Sequence, residues 1–366
     1  MKDYDHIFIV TNDLTNERRV KRIIDVIVSQ DRSVLLIGRQ LSGSIAIGEA
    51  DFDQHRVKCV FNSGPLFYLE FYLRVTLLIL RRFNAEHITC NDLDTILIGK
   101  TLKRFRKFHL YLDCHEWFEE VPELQGKPIK KGIWTRIAKH SIPATDTRYT
   151  VNSLIGQQMA KVYNSDFEVI QNISPSVNTV HWHLKEKQHP FKLVYLGVLN
   201  EGRGLEHMIK AMEYLDGVEL DIIGDGDIAD KIKRLVYDSP ARDRITLNGS
   251  LSPEAFVPLL HRSHLGVNLL ESRSKNYYYS SANKLHDYIN HGMMVLTMNY
   301  PYYARLAQSC NAIKLIDELD ATAILQKIKS IIRDYDLNNV VLARTSYLDK
   351  YNWDLEVEKL SKIYFN

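Results

Sequence analysis

The sequence predicts an α/β fold of two doubly wound parallel sheets, and three observations carry that prediction. Short, continuous apolar runs alternate with segments of helical period along most of the chain. One stretch without any period, 173–190, divides the alternation into two series of similar length. At 366 residues the chain exceeds one ordinary core and suffices for two.

The elements follow in order. HIFIV (6–10) is apolar throughout, as a parallel strand covered on both faces must be. In NERRVKRIIDVIVSQ (16–30), Val20, Ile23, Ile24 and Ile27 recur at helical spacing. SVLLIG (33–38), KCVF (58–61), HITC (87–90), FHLYLD (108–113) and TRYTVN (147–152) read as further strands, with helices near 67–82 and 93–106 between them. The second series contains FKLVYLG (191–197), a helix from about 204, VELDIIGDG (218–226), RITLNGS (244–250), HLGVNLL (264–270), MMVLT (293–297) and AIKLI (312–316). The expected domains are 1–173 and 190–350, joined by a linker. A closing amphipathic helix within 351–366 is expected to pack back on the first domain.

Bulk properties narrow the function. A net charge of +2 argues against a general nucleic-acid binder. Cys59, Cys90, Cys114 and Cys310 are scattered with no C-x-x-C pair, which favours a reduced, cytoplasmic chain over a disulfide framework or zinc site. The opening residues carry no charged-then-apolar signal region, and the apolar stretch 66–80 is interrupted by Glu70 and Arg74.

Two loops could carry chemistry, both at expected C-terminal strand edges, where open α/β sheets bind ligands. After HLGVNLL, the stretch YYYSSANKLHDYINHG leads into a short helix, with Ser280 or Ser281 as candidate N-cap and Gly292 as stop. Its N-terminus would offer unpaired N–H groups to a phosphate, Lys284 a positive charge, and Asp287 an acceptor for a ribose. The competing reading is a surface helix with an ion pair between Lys284 and Asp287. In GVLNEGRGLE (197–206), Gly202 and Gly204 allow close backbone approach, and Arg203 can fork two hydrogen bonds to phosphate. The spacing is not G-x-G-x-x-G, so no dinucleotide fingerprint is present. Together the two loops describe a diphosphate pocket.

GVLNEGRGLEHMIKAM, DIIGDG, NLLESRSKNYYYSSANKLHDYINHGMMVLT and YNW resemble family 4 of the retaining glycosyltransferases, as do YLDCHEWFEEVPEL (111–124) and TVNSLIGQQMAKVYN (150–164) in the first half. The resemblance implies the GT-B fold, with two Rossmann-like domains facing a central cleft. It implies transfer of a sugar from a nucleotide-diphosphate donor, UDP- or GDP-linked, to a saccharide or lipid-linked acceptor. No metal or other cofactor is expected, and no protein nucleophile. Arg203 and Lys284 match the residues on the donor's diphosphate, Asp287 the ribose-binding position, and His115 a histidine facing the transferred sugar. The catalytic set is thus His115, Arg203 and Lys284. The donor-binding set is Gly202, Arg203, Gly204, Tyr279, Ser281, Asn283, Lys284 and Asp287. The structural alternative for His115 is a strand-end core histidine, and Glu116 and Glu119 beside it read as acceptor-side carboxylates or a solvated acidic loop.

Two positions depart from the family's pattern. Tyr279 stands where the family often has a glutamate, and Val198 where it has a second phosphate-binding arginine. They motivate one alternative, a non-catalytic partner subunit; a nucleotide-sugar epimerase on the same fold is another. Finally, 64–83 and the basic 100–108 read as a buried helix followed by a solvated one, or as a peripheral contact with the inner face of a membrane carrying a lipid-linked acceptor.

Overall fold

The computed structural model describes residues 1–15, 17–187 and 189–365; position 16 of the expected first helix, 188 of the expected linker and 366 of the closing helix lie outside. The chain forms two compact units, 1–172 with 356–366, and 173–355.

In the first unit, β1 (Lys2–Ile9), β2 (Val34–Gln40), β3 (Asp53–Lys58), β4 (Phe83–Asn91), β5 (His109–Cys114), β6 (Thr147–Thr150) and β7 (Glu168–Val169) form one sheet, ordered β3-β2-β1-β4-β5-β6-β7. All its pairings are parallel. In the second, β8 (Phe191–Leu196), β9 (Val218–Ile223), β10 (Ile245–Gly249), β11 (Leu265–Asn268), β12 (Met294–Met298) and β13 (Ile313–Ile316) form a parallel sheet ordered β10-β9-β8-β11-β12-β13. Each unit is therefore Rossmann-like. In each, the order reverses beside the first strand, between β1 and β4 and between β8 and β11, and the loops leaving those strands part to leave a crevice. The central strands are buried throughout, Ile7–Ile9 and Leu35–Ile37 among them, because helices cover both faces.

Several elements differ from the sequence reading. The third strand is Asp53–Lys58 rather than 58–61; only Val57 is buried in it, so an edge strand here has no apolar run to betray it. The expected helix near 93–106 is shorter, Ile96–Leu102. Residues 173–177 are no free linker. Val177 N–H donates to Asn290 Oδ1 at 2.9 Å, Asn290 Nδ2 donates to Pro175 O at 2.8 Å, and Arg344 reaches Val177 O at 2.6 Å. The long helix is Gly64–Arg82, and one of its sides lies open rather than buried.

In the closing helix, Trp353–Phe365, the residues from Glu356 onward belong to the first unit. Glu356 accepts from Gln171 N–H at 2.8 Å, and Tyr364 stacks on Tyr111 at 4.6 Å with its hydroxyl 2.7 Å from that of Tyr149. The same sheet holds a buried ion pair. Arg19, on helix Arg18–Val28, forks onto both oxygens of Asp113 at the end of β5, at 2.9 and 3.0 Å, and onto Ile170 O at 3.0 Å. Removing one member of such a pair strands a charge away from water. Arg19→Leu should therefore destabilise the first unit by about 3–5 kcal/mol in urea unfolding. A loss under about 1 kcal/mol would show that Asp113 is solvated like a surface carboxylate.

Candidate functional site

The second unit's crevice is built from the loops after β8 and β11. Gly197 follows β8 directly, and an added Cβ at Gly224, after β9, would lie 1.9 Å from Gly197 O, so the two turns meet backbone to backbone. The loop after β8 then turns through Gly202 and Gly204, both left-handed. Gly204 is the N-cap of helix Leu205–Met212, and a Cβ there would fall 2.6 Å from Leu269 Cβ. Glu271 N–H donates to Gly202 O at 2.9 Å, tying the two loops to each other.

Arg203 is thereby fixed between two glycines that no other residue replaces without strain. Its guanidinium lies 4.9 Å from the ring centroid of Tyr277, and its buried Nε has no hydrogen-bond partner. Tyr277 is positioned by the short helix Lys275–Tyr278, where Ser274 Oγ accepts from Tyr277 N–H at 3.2 Å.

Lys284 enters from the loop after β11, in the first turn of helix Asn283–Asn290. Its Nζ stands 3.7 Å above the ring centroid of Tyr195, and 3.0 Å from where a Cβ on Gly197 would be. The lysine thus lies across the end of β8 because Gly197 has no side chain. Burial, and then the charge of Arg203, push its pKa well below the ordinary lysine value. Among the described residues neither Lys284 nor Arg203 has a carboxylate in salt-bridge reach. The ion pair between Lys284 and Asp287 is not formed.

The start of that helix differs from the sequence reading. The N-cap is Ala282, with no side-chain cap. Ser280 Oγ instead meets Tyr303 OH at 2.9 Å, and Ser281 Oγ meets His286 Nε2 at 3.2 Å. Both hydroxyls are thus engaged elsewhere, while Tyr303 OH accepts from Ala282 N–H at 3.2 Å. Gly292 stops the helix with φ +71°, as expected. Asn283 is exposed at its first position, and Tyr279 is half-buried with its ring against Tyr278. Asp287 accepts from Ser174 Oγ at 2.7 Å, so the residue expected at the ribose also anchors the segment entering this unit. Val198 is 54% exposed, and its carbonyl accepts from Tyr195 OH at 2.8 Å. Tyr195, Tyr277 and Tyr303 were missed by sequence reasoning; only the clustering of tyrosines at 277–279 hinted at them.

In the first unit, His115 follows β5 and is held on three sides. Its N–H donates to Asp92 Oδ1 at 2.8 Å, its Nε2 is 2.9 Å from Asp113 Oδ2, and its Nδ1 is 3.2 Å from Asp92 Oδ2. Burial would lower its pKa, but Asp113 and then Asp92 outweigh it, and the value rises to about 9. Burial alone would raise Asp113, yet Arg19 and His115 hold it at about 2; Asp92 is pushed up by burial to about 8. His115 is thus a partly exposed imidazolium, neither a neutral base nor a fully buried core residue. Glu116 is exposed, whereas Glu119 is buried at 4% exposure, which corrects the solvated-loop reading for that residue. No group of three or more His, Cys, Asp or Glu among the described residues is placed to hold a metal ion.

Known proteins resemble this chain in part of its sequence and in its fold. Residues 177–344, within the second unit, match the family model described as Glycosyl transferases group 1, which supports a glycosyltransferase. No curated protein matches the chain in sequence. Among solved structures, sucrose-phosphate synthase from Thermosynechococcus elongatus is similar over 100% of this chain and 98% of its own, with a TM-score of 0.80 and 14% identity. WaaG, a glycosyltransferase involved in lipopolysaccharide biosynthesis, is similar over 99% and 100% (TM-score 0.73, 14% identity). Anabaena HepE in complex with UDP and glucose is similar over 98% and 99% (TM-score 0.73, 12% identity). The fold is that of the GT-B glycosyltransferases.

The histidine yields a direct check. A raised pKa contributes stability that is fully present below the unfolded value, near 6.5, and is lost as pH rises through about 9. NMR titration should show the His115 imidazole still protonated at neutral pH and releasing its proton near 9. Titration near 6.5 would mean that the two aspartates do not hold it charged.

Proposed function

We propose that the chain is a retaining, metal-independent glycosyltransferase that moves a sugar from a nucleotide-diphosphate donor to a saccharide or lipid-linked acceptor. The observation that carries this reading is the presence of two cations, Arg203 and Lys284, at one crevice with no carboxylate between them. Burying like charges together is unfavourable unless an anion completes the site. A diphosphate supplies that anion. The uncapped first turn of helix Asn283–Asn290 adds backbone N–H donors and the positive end of a helix dipole.

In this reading Arg203 and Lys284 bind the donor's diphosphate and stabilise it as it departs, the role that a metal ion fills elsewhere. The acceptor hydroxyl attacks the anomeric carbon from the side on which the diphosphate leaves. The new C–O bond forms as the C–O bond to phosphate breaks, and the hydroxyl proton passes to the departing phosphate oxygen. Asp287 takes the ribose, whose hydroxyls a carboxylate can accept from. His115, charged and with both ring nitrogens bonded to aspartates, suits electrostatic contact with the sugar better than proton abstraction. HepE in its complex with UDP and glucose makes UDP the first donor nucleotide to test, with GDP second.

Calorimetry of UDP and GDP in EDTA should show one of them binding the parent. Losing a charge-assisted hydrogen bond costs about 1.5–3 kcal/mol, so Lys284→Met and Arg203→Met should each bind roughly ten- to a hundredfold more weakly. Lys284→Met should also unfold at the same temperature as the parent or higher, since it removes a cation that burial disfavours. Binding that requires added magnesium, or both variants binding like the parent, would contradict the assignment.

A further inference from the structure

Helix Gly64–Arg82 is apolar on two opposite sides. Phe67, Phe71, Val75 and Ile79 are buried and hold it to the first unit. Leu66, Leu69, Leu73 and Leu77 recur at i, i+3, i+7 and i+11, which places them within about 80° of arc on the opposite side. They are between 44% and 56% exposed. A single exposed leucine is ordinary, but an unpartnered row on one helix is not.

The neighbourhood extends this row. Tyr68 packs edge-on against Trp134 at 5.2 Å, joining the helix to Pro128–Ser141, which exposes Ile129 (80%) and Ile133 (56%) one turn apart. Helix Ile96–Leu102 lies beside both. Charge on this face is predominantly positive. Residues 96–108 and 128–141 contain no Asp or Glu, and helix Gly64–Arg82 contains only Glu70, paired with Arg74. Lys103 and Lys131 are paired with Asp146 and Glu120. Arg81, Arg82, Arg104, Lys130, Arg136 and Lys139 are exposed with no carboxylate partner among the described residues. The whole chain has a net charge of only +2, so this concentration is local.

We propose that this face of the first unit docks on an anionic lipid bilayer, the leucine row entering the boundary between headgroups and acyl chains while the cations meet lipid phosphates. Long basic side chains flanking an apolar row can bury their stems and keep their charges at headgroup level. The surface is a helical ridge, which a bilayer accommodates and which a protein would have to match with a groove. A second copy of the chain is disfavoured, because pairing this face with itself opposes cation to cation. The helix lies on the membrane and does not cross it: no described helix is long and apolar enough to span. The proposal is independent of the sugar chemistry, since it uses neither Arg203 nor Lys284.

Co-sedimentation of the full chain with vesicles of phosphatidylcholine alone, or mixed with phosphatidylglycerol, tests it. The parent should pellet with the mixed vesicles and be released by salt. Two double variants probe the two halves of the surface, Leu69→Gln with Leu73→Gln, and Arg81→Glu with Arg82→Glu. All four positions are exposed, so both variants should keep the parent's unfolding temperature. The charge reversal should weaken partitioning on the order of a hundredfold or more, and the leucine variant should abolish pelleting at the same lipid concentration. The proposal is overturned if the parent stays in solution with mixed vesicles, or pellets equally with both kinds regardless of the charge reversal. It is also overturned if gel filtration shows a dimer that the leucine substitutions convert to monomer.

Discussion

The second unit is organised around an electrostatic conflict: Lys284 lies over the ring of Tyr195, at the end of β8, within the field of Arg203 and without a carboxylate to offset either charge. Much of the local backbone serves that placement. Gly197 has no side chain, which leaves room for the lysine, and Gly202 and Gly204 turn the chain so that Arg203 projects from between them. The hydrogen bond from Glu271 to Gly202 fixes one loop against the other. Stacking on tyrosine faces gives both cations some compensation through the ring quadrupole, though less than an anion would. In the proposed function, a bound diphosphate would supply the anion that this arrangement lacks.

The first unit solves its own charge problem in the opposite way. His115 is charged too, but Asp113 and Asp92 surround it, and Asp113 is in turn neutralised by Arg19. That network is satisfied without a ligand. The contrast separates a histidine enclosed by carboxylates from a pair of cations with none in salt-bridge reach among the described residues. It also explains why sequence spacing alone treats His115 and Lys284 alike while their environments differ.

The sheets were legible because strands covered on both faces must be continuously apolar. β1 shows this over Ile7–Ile9, β2 over Val34–Ile37, β5 over Leu110–Leu112 and β8 over Leu193–Leu196, while Glu219 and Asp221 interrupt β9 and the edge strands β3 and β7 bury too little to leave a pattern. Arg203 and Lys284 could be singled out because glycines and a helix start at strand ends are local signals. Their surroundings could not. Tyr195 reads as one more core residue of β8, and the serines before Asn283 read as caps until Tyr303 and His286, distant in sequence or on the next turn, take their hydroxyls. Ser174, the partner of Asp287, lies 113 residues away in a stretch without periodicity. The open side of helix Gly64–Arg82 was ambiguous for a related reason: two apolar stripes on one helix look the same in sequence whichever of them is buried.

The central claim is that the depressed Lys284 ammonium is restored by a bound diphosphate, and proton uptake measures this most directly. Calorimetric titration of the preferred nucleoside diphosphate in buffers of differing ionisation enthalpy, repeated across neutral to alkaline pH, counts the protons taken up on binding. If Lys284 is deprotonated in part when the site is empty, uptake should rise with pH toward one proton per site and vanish in Lys284→Met. Binding whose enthalpy is the same in every buffer, or uptake that persists unchanged in Lys284→Met, would contradict the account.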